Sequence, residues 1–120
     1  MTITAEIDRE TLLRRLVSDA DDAHHIMPLL ADFGWDYAGT PVVLTRQQLI
    51  RLLHQYINGK LSAAKLEFWA NCIEGRDDIA FEIAAAPGIE ALVFELANPA
   101  LTQPLTMERA KAILAELERD

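Results

Sequence analysis

Apolar residues recur at helical spacing along most of the chain. In five segments they stand three or four positions apart, which places them on one face of a helix. These segments cover residues 12–17, 49–57, 66–73, 89–97 and 110–117. Short stretches with glycine or proline separate most of them. The pattern predicts an all-α fold, a compact bundle of five to seven short helices in a single domain over residues 1–120.

Three helices are predicted to begin with the same pair of residue types. Thr45, Ser62 and Thr106 each follow a leucine and precede an apolar stripe. As N-cap residues, their hydroxyl groups accept a hydrogen bond from a backbone N–H of the first turn. The preceding leucine can pack on the fourth helical residue as a hydrophobic staple. We expect simple caps at all three sites, without the reciprocal bond of a capping box.

Two regions are less regular. Asp8 is predicted to cap a helix over residues 8–18, and Pro28 to break or kink any continuation, with a short helical turn at 28–33. Residues 78–86 alternate as a strand does, yet they also fit a helix capped by an aspartate. We favour a helix there because no partner strand is evident elsewhere, and residues 42–44 look too short to be more than an extended lead-in.

Charge and composition narrow the function classes. The 120 residues carry 19 acidic and 11 basic side chains, a net charge of −8. This acidity argues against binding nucleic acid or an anionic membrane, and it permits a basic protein partner. Residues 41–66 are basic between two acidic flanks, which reflects either differently solvated helix faces or a docking field. No signal peptide or membrane-length apolar run is visible, so we expect a cytoplasmic location.

The candidates for chemistry are few. Asp21 and His25 stand four apart, so on a helix they share a face and could hold a metal with Asp22. We favour a solvated acidic helix end over a metal site, and we predict no cofactor. Cys72 is predicted to be a core thiol because it lies within an apolar helix without a neighbouring histidine.

Two stretches are candidates for binding a partner. Trp35, Asp36 and Tyr37 form an aromatic loop that is either buried or an interface hot spot. The acids after the helix that starts at Ser62 form the second stretch, which either meets a basic partner or serves the local fold through caps and a pair with Arg76. The candidate partner-binding residues of this stretch are Glu74, Asp77, Asp78 and Glu82, with Glu67 beside them.

A resemblance accompanies these candidates. Leu61-Ser62, Leu66, Trp69-Ala70, the run Ile73–Ile79, Phe81-Glu82 and Leu96–Pro99 form its pattern. The pattern resembles small stand-alone acidic helical proteins of bacteria, some of which look like immunity proteins that neutralise a paired toxin. It covers about residues 44–117 and consists mostly of core and cap positions. It implies a fold more than an activity, and it assigns no toxin-binding residue.

The leading hypothesis is therefore a non-enzymatic protein-binding module, of the immunity type, that inhibits a basic toxin or nuclease. One alternative is a small metal-dependent enzyme that uses the Asp21/His25 region. Another is a self-associating structural subunit, that is, a homo-oligomer.

Overall fold

The computed structural model describes residues 8–33, 40–83 and 88–118. In these ranges the chain forms six helices and one small parallel sheet of two strands. The helices are α1 (Arg9–Ser18), α2 (Ala23–Leu30), α3 (Arg46–Ile57), α4 (Ala63–Ile73), α5 (Ile89–Ala97) and α6 (Met107–Leu117). The strands are β1 (Val42–Leu44) and β2 (Ile79–Phe81), and a 3₁₀ turn, Ala31–Phe33, follows α2. The predicted all-α class is confirmed.

Helix α4 lies at the centre of the core. Trp69 is fully buried, and its indole Nε1 donates a hydrogen bond of 2.6 Å to the carbonyl oxygen of Leu16 on α1. The most extensive helix packing in the described ranges joins α4 to α5, while α6 packs on α3. Buried residues of all six helices and both strands form one apolar cluster. The broad apolar face of α4, visible in the sequence, is therefore explained by burial against several neighbours.

The three predicted N-caps are confirmed. Thr45, Ser62 and Thr106 each accept a hydrogen bond of 3.1 Å from the backbone N–H three residues on. The prediction of a simple cap at Thr45 is wrong, because Gln48 Oε1 accepts the Thr45 N–H in return at 3.0 Å. This reciprocal pair is a capping box, and it satisfies a further backbone donor at the start of α3.

The stretches with glycine or proline that separate the apolar segments contain the observed ends of α3, α4 and α5. Gly59 and Gly75 both have φ of +79°, a left-handed conformation that a side chain disfavours. They follow the ends of α3 and α4, and Asn98 ends α5. The longest helix in the described ranges, α3, has 12 residues, and none there has the length and apolarity to cross a membrane.

The prediction of a helix over residues 78–86 is wrong. Residues 79–81 are strand β2, which pairs in parallel with β1 in the register Val42↔Ile79 and Leu44↔Phe81. Residues 84–87 lie outside the described residues. The alternation of this segment is a strand pattern because β1, although only three residues long, supplies the partner backbone. Helices α3 and α4 form the crossover that a parallel pair requires.

The prediction that Pro28 breaks the helical path also needs correction, because the break lies earlier in the chain. The chain leaves the helical path at Asp19–Asp22, and Pro28 lies inside α2. A proline within a helix removes one hydrogen bond, here the one to the carbonyl of His24. His24 and Pro28 are both exposed, so water can reach the carbonyl of His24.

Candidate functional site

An open cleft of about 460 Å³ lies where the C-terminal ends of α2 and α4 meet the start of α1. The apolar part of its lining comes from Met27, Leu30 and Cys72. Its polar part includes Glu74 and the segment 76–78, which connects α4 to β2. Three of the four candidate acids of this stretch, Glu74, Asp77 and Asp78, thus line one cavity.

Asp78 is the most buried charged residue in the described ranges, with 1% of its surface exposed. Its Oδ2 accepts from Nε and Nη2 of Arg9 at 3.0 and 2.9 Å. Arg76 donates its Nε to Oδ1 at 2.8 Å and its Nη2 to Oδ2 at 2.9 Å. One carboxylate therefore ties the first residue of α1 to the segment after α4 through two guanidinium groups.

The environment of Asp78 favours its charged form. Burial alone raises the pKa of this carboxyl, but hydrogen bonds from Arg76 and Arg9, and the positive charges of both, outweigh burial and hold the pKa below its usual value. With its charge matched inside the protein, Asp78 has an internal role and offers little surface to a partner.

Glu74 and Asp77 also line the cleft, and they differ from Asp78 because no arginine or lysine of the described residues pairs with their carboxylates. Glu74 is half-buried, and its two oxygens lie 3.3 Å from Nδ2 of Asn98 at the end of α5. Asp77 is exposed. Asn71 secures the same region, since its Nδ2 donates to the carbonyl oxygen of Ala97 at 3.0 Å. The cleft wall is thus anchored on α5 through Asn71 and Glu74, and no arginine or lysine of the described residues offsets the negative charge of Glu74 or Asp77.

Glu82 lies elsewhere in the fold. Its Oε1 accepts the backbone N–H of Arg46, the first residue of α3, at 2.6 Å. A carboxylate at this end of a helix also interacts favourably with the helix dipole. Glu82 therefore serves the start of α3, and it does not line the cleft.

The other binding candidates, Trp35, Asp36 and Tyr37, lie outside the described residues. The aromatic loop that they form in the sequence stays a prediction.

Two of the three metal candidates are engaged in ion pairs. Asp21 accepts from Nζ of Lys65 at 2.6 Å, and Asp22 pairs with Arg15. His25 is exposed on the first turn of α2. Within residues 8–33, 40–83 and 88–118, no three histidine, cysteine, aspartate or glutamate residues are grouped so that they could hold a metal ion.

Cys72 is half-buried rather than fully enclosed, and its thiol belongs to the cleft lining. Burial raises the pKa of this thiol, while the positive charge of Arg76 acts in the opposite direction. The net rise favours the thiol over the thiolate, so the residue contributes apolar surface to the cleft.

The sequence pointed to the acids of this site but not to Arg9. One signal was present: a basic side chain in the first turn of a helix opposes the helix dipole. Arg9 occupies that position in α1, and its bond to Asp78 supplies a tertiary reason. The partner itself lies 69 positions away, so local patterns could not identify it.

Comparisons with known proteins assign the chain to no family. No protein-family model, no curated protein and no solved structure matches the chain. The function must therefore be argued from the residues themselves.

Proposed function

We propose that this chain is a non-enzymatic protein-binding module for a basic protein, and that it acts as an immunity-type inhibitor of a basic toxin or nuclease. One observation carries the proposal: in the described ranges most arginine and lysine side chains pair with carboxylates of the same chain, whereas most carboxylates pair with neither.

Among the described residues, ion pairs engage a larger share of the cations than of the carboxylates. Six arginine and lysine side chains pair with carboxylates of the same chain. Only Arg46, Arg51, Lys60 and Lys111 remain without a carboxylate in these ranges. The same pairs engage five of the sixteen described carboxylates and leave eleven without an arginine or lysine.

This imbalance supports recognition of a positively charged surface. Complementary charge steers two proteins together and raises their association rate, with a strong dependence on salt. The cleft beside Glu74 and Asp77 supports the same proposal, because two acidic residues that no arginine or lysine of the described residues pairs with lie there next to apolar surface. A concave site of this kind is a common place for specific contacts.

The test begins with the purified protein as bait in an extract of the cells that produce it, at low salt. Captured proteins are then purified, and their binding is measured by calorimetry at several salt concentrations. We expect a basic protein that binds one to one and weakens as salt rises. Captured proteins that are acidic, or that bind equally well at high salt, would contradict the proposal.

Self-association is the second candidate, and it has its own observation. Phe94, Leu101 and Met107 are 45%, 76% and 44% exposed near the connection between α5 and α6. Apolar side chains that form a contiguous exposed surface often mark a contact with another protein. Light scattering over a concentration series separates the two candidates, since a dimer that Leu101→Ser disrupts would support self-association.

A further inference from the structure

We propose that the cleft between α1, α2 and α4 receives a lysine or arginine side chain of the basic partner. This inference rests on the proposed function and adds to it the place and the chemistry of the central contact.

The net negative charge of the cleft lining favours a positively charged ligand. Arg9 and Arg76 line the cavity, but four hydrogen bonds hold their Nε and Nη2 atoms on the buried carboxylate of Asp78. The carboxylates left in the lining are those of Glu74 and Asp77, and together the lining has one negative charge in excess. A cation entering the cleft would find two acceptors that no arginine or lysine of the described residues engages.

The shape and lining suit a long basic side chain. Lysine and arginine carry a hydrocarbon stem that packs on apolar surface while the charged head group stays among polar groups. Met27, Leu30 and Cys72 provide such a surface, and the exposed Asp77 provides the polar end. The volume of about 460 Å³ falls within the range of about 300–1,000 Å³ typical of ligand pockets.

The anchored walls make the site ready for binding. The Arg9–Asp78–Arg76 cluster fixes α1 against the segment after α4, and the bonds of Asn71 and Asn98 fix the end of α4 on α5. A partner side chain would therefore meet a preformed cavity, which reduces the ordering needed on association.

A direct test uses the peptide acetyl-Gly-Arg-Gly-amide as probe and amide NMR of the full chain as readout. We expect shift changes confined to residues 27–31 and 71–78, and we expect the corresponding lysine peptide to act at the same residues. The matched peptide with glutamate in place of arginine is the control and should leave these signals unchanged. Shifts elsewhere, or equal shifts with the glutamate peptide, would overturn the inference.

The thiol of Cys72 gives an independent readout of the same cavity. Because this side chain lines the cleft, an arginine peptide bound there should slow its alkylation by iodoacetamide. The glutamate peptide should not. An alkylation rate that the arginine peptide leaves unchanged at saturation would count against occupancy of the cleft.

Variants connect the cleft to the partner. The pair Glu74→Gln and Asp77→Asn removes the two available charges, whereas Glu90→Gln removes one exposed charge on α5, away from the cleft. We expect the double variant to bind the captured basic protein about tenfold or more weakly, and Glu90→Gln to change binding much less. Thermal unfolding of each variant verifies that it is folded.

The outcomes separate this inference from the function on which it rests. If a basic protein binds and the double variant binds no worse than Glu90→Gln, the partner contacts another surface and only the cleft assignment fails. If no basic protein binds the wild-type chain, the proposed function fails as well.

Discussion

Replacing Asp78 by asparagine tests whether the buried ion cluster stabilises the fold. The amide keeps the size of the side chain but removes its charge and places an N–H₂ donor where an oxygen now accepts from a guanidinium. Both arginines then lose the carboxylate that their Nε and Nη2 atoms share, in a region where this carboxylate is 2% exposed. Leaving a buried charge without its partner destabilises a protein by about 3–5 kcal/mol.

The partial exposure of the two arginines places the expected loss of stability at the lower end of that range. Their side chains are 13% and 21% exposed, so water can solvate them partly once the carboxylate is gone. We therefore expect Asp78→Asn to lower the free energy of unfolding by about 3 kcal/mol, a large part of the ~5–15 kcal/mol typical of a domain. An exposed ion pair would contribute only about 0–1 kcal/mol.

Urea unfolding at pH 7 measures the difference directly. Asp77→Asn is the matched control, because this neighbouring carboxylate is exposed, and its loss should change the free energy by less than about 0.5 kcal/mol. A loss below about 1 kcal/mol for Asp78→Asn would refute the reasoning, because the cluster would then behave as a surface pair.

The pH dependence of stability provides a second test of the role of Asp78. The folded protein holds the pKa of Asp78 below its usual value, so this carboxyl stabilises the fold fully above its unfolded pKa of about 3.9. That contribution is lost as the pH falls through the lower folded pKa. The difference in stability between wild type and Asp78→Asn should stay level from about pH 5 to pH 8 and shrink below about pH 4.

Three further predictions concern other parts of the chain. Thr45→Ala should lower stability by about 1 kcal/mol in urea unfolding, because it removes the side-chain oxygen that accepts the backbone N–H of Gln48; an unchanged stability would contradict the role of Thr45 as a cap. Gly75→Ala should lower stability by about 1–2 kcal/mol through its φ of +79° alone, since no atom lies within 4 Å of the added Cβ; a neutral result would exclude that strain. Cys72 should react more slowly with iodoacetamide at pH 8 in the folded protein than in urea, because burial raises its pKa; equal rates would contradict the half-buried position.

The helices were predictable because their signals are local. An N-cap bond spans three residues, so Thr45, Ser62 and Thr106 could be assigned from the sequence alone. Glycine ends such as Gly59 and Gly75 act equally locally. Most helix boundaries followed from these features together with the apolar spacing.

The sheet and the cleft were not predictable in the same way. Strand β2 becomes a strand because β1 pairs with it across two intervening helices, and a three-residue strand carries almost no pattern of its own. Similarly, the acids Glu74 and Asp77 were visible as candidates, but the separation of Asp78 from them depends on Arg9, 69 residues earlier. The sequence showed which charges were present, and tertiary contacts determined which of them are neutralised.

The rate at which the protein associates with its captured basic partner tests the central claim most directly. Stopped-flow association at ionic strengths from about 0.05 to 0.5 M varies the screening of exposed charges, whose Debye length is ~10 Å at 0.1 M. We expect a steep fall of the association rate with salt for the wild type, and a shallower fall for Glu74→Gln combined with Asp77→Asn. An association rate that does not change with salt would contradict an acidic docking surface.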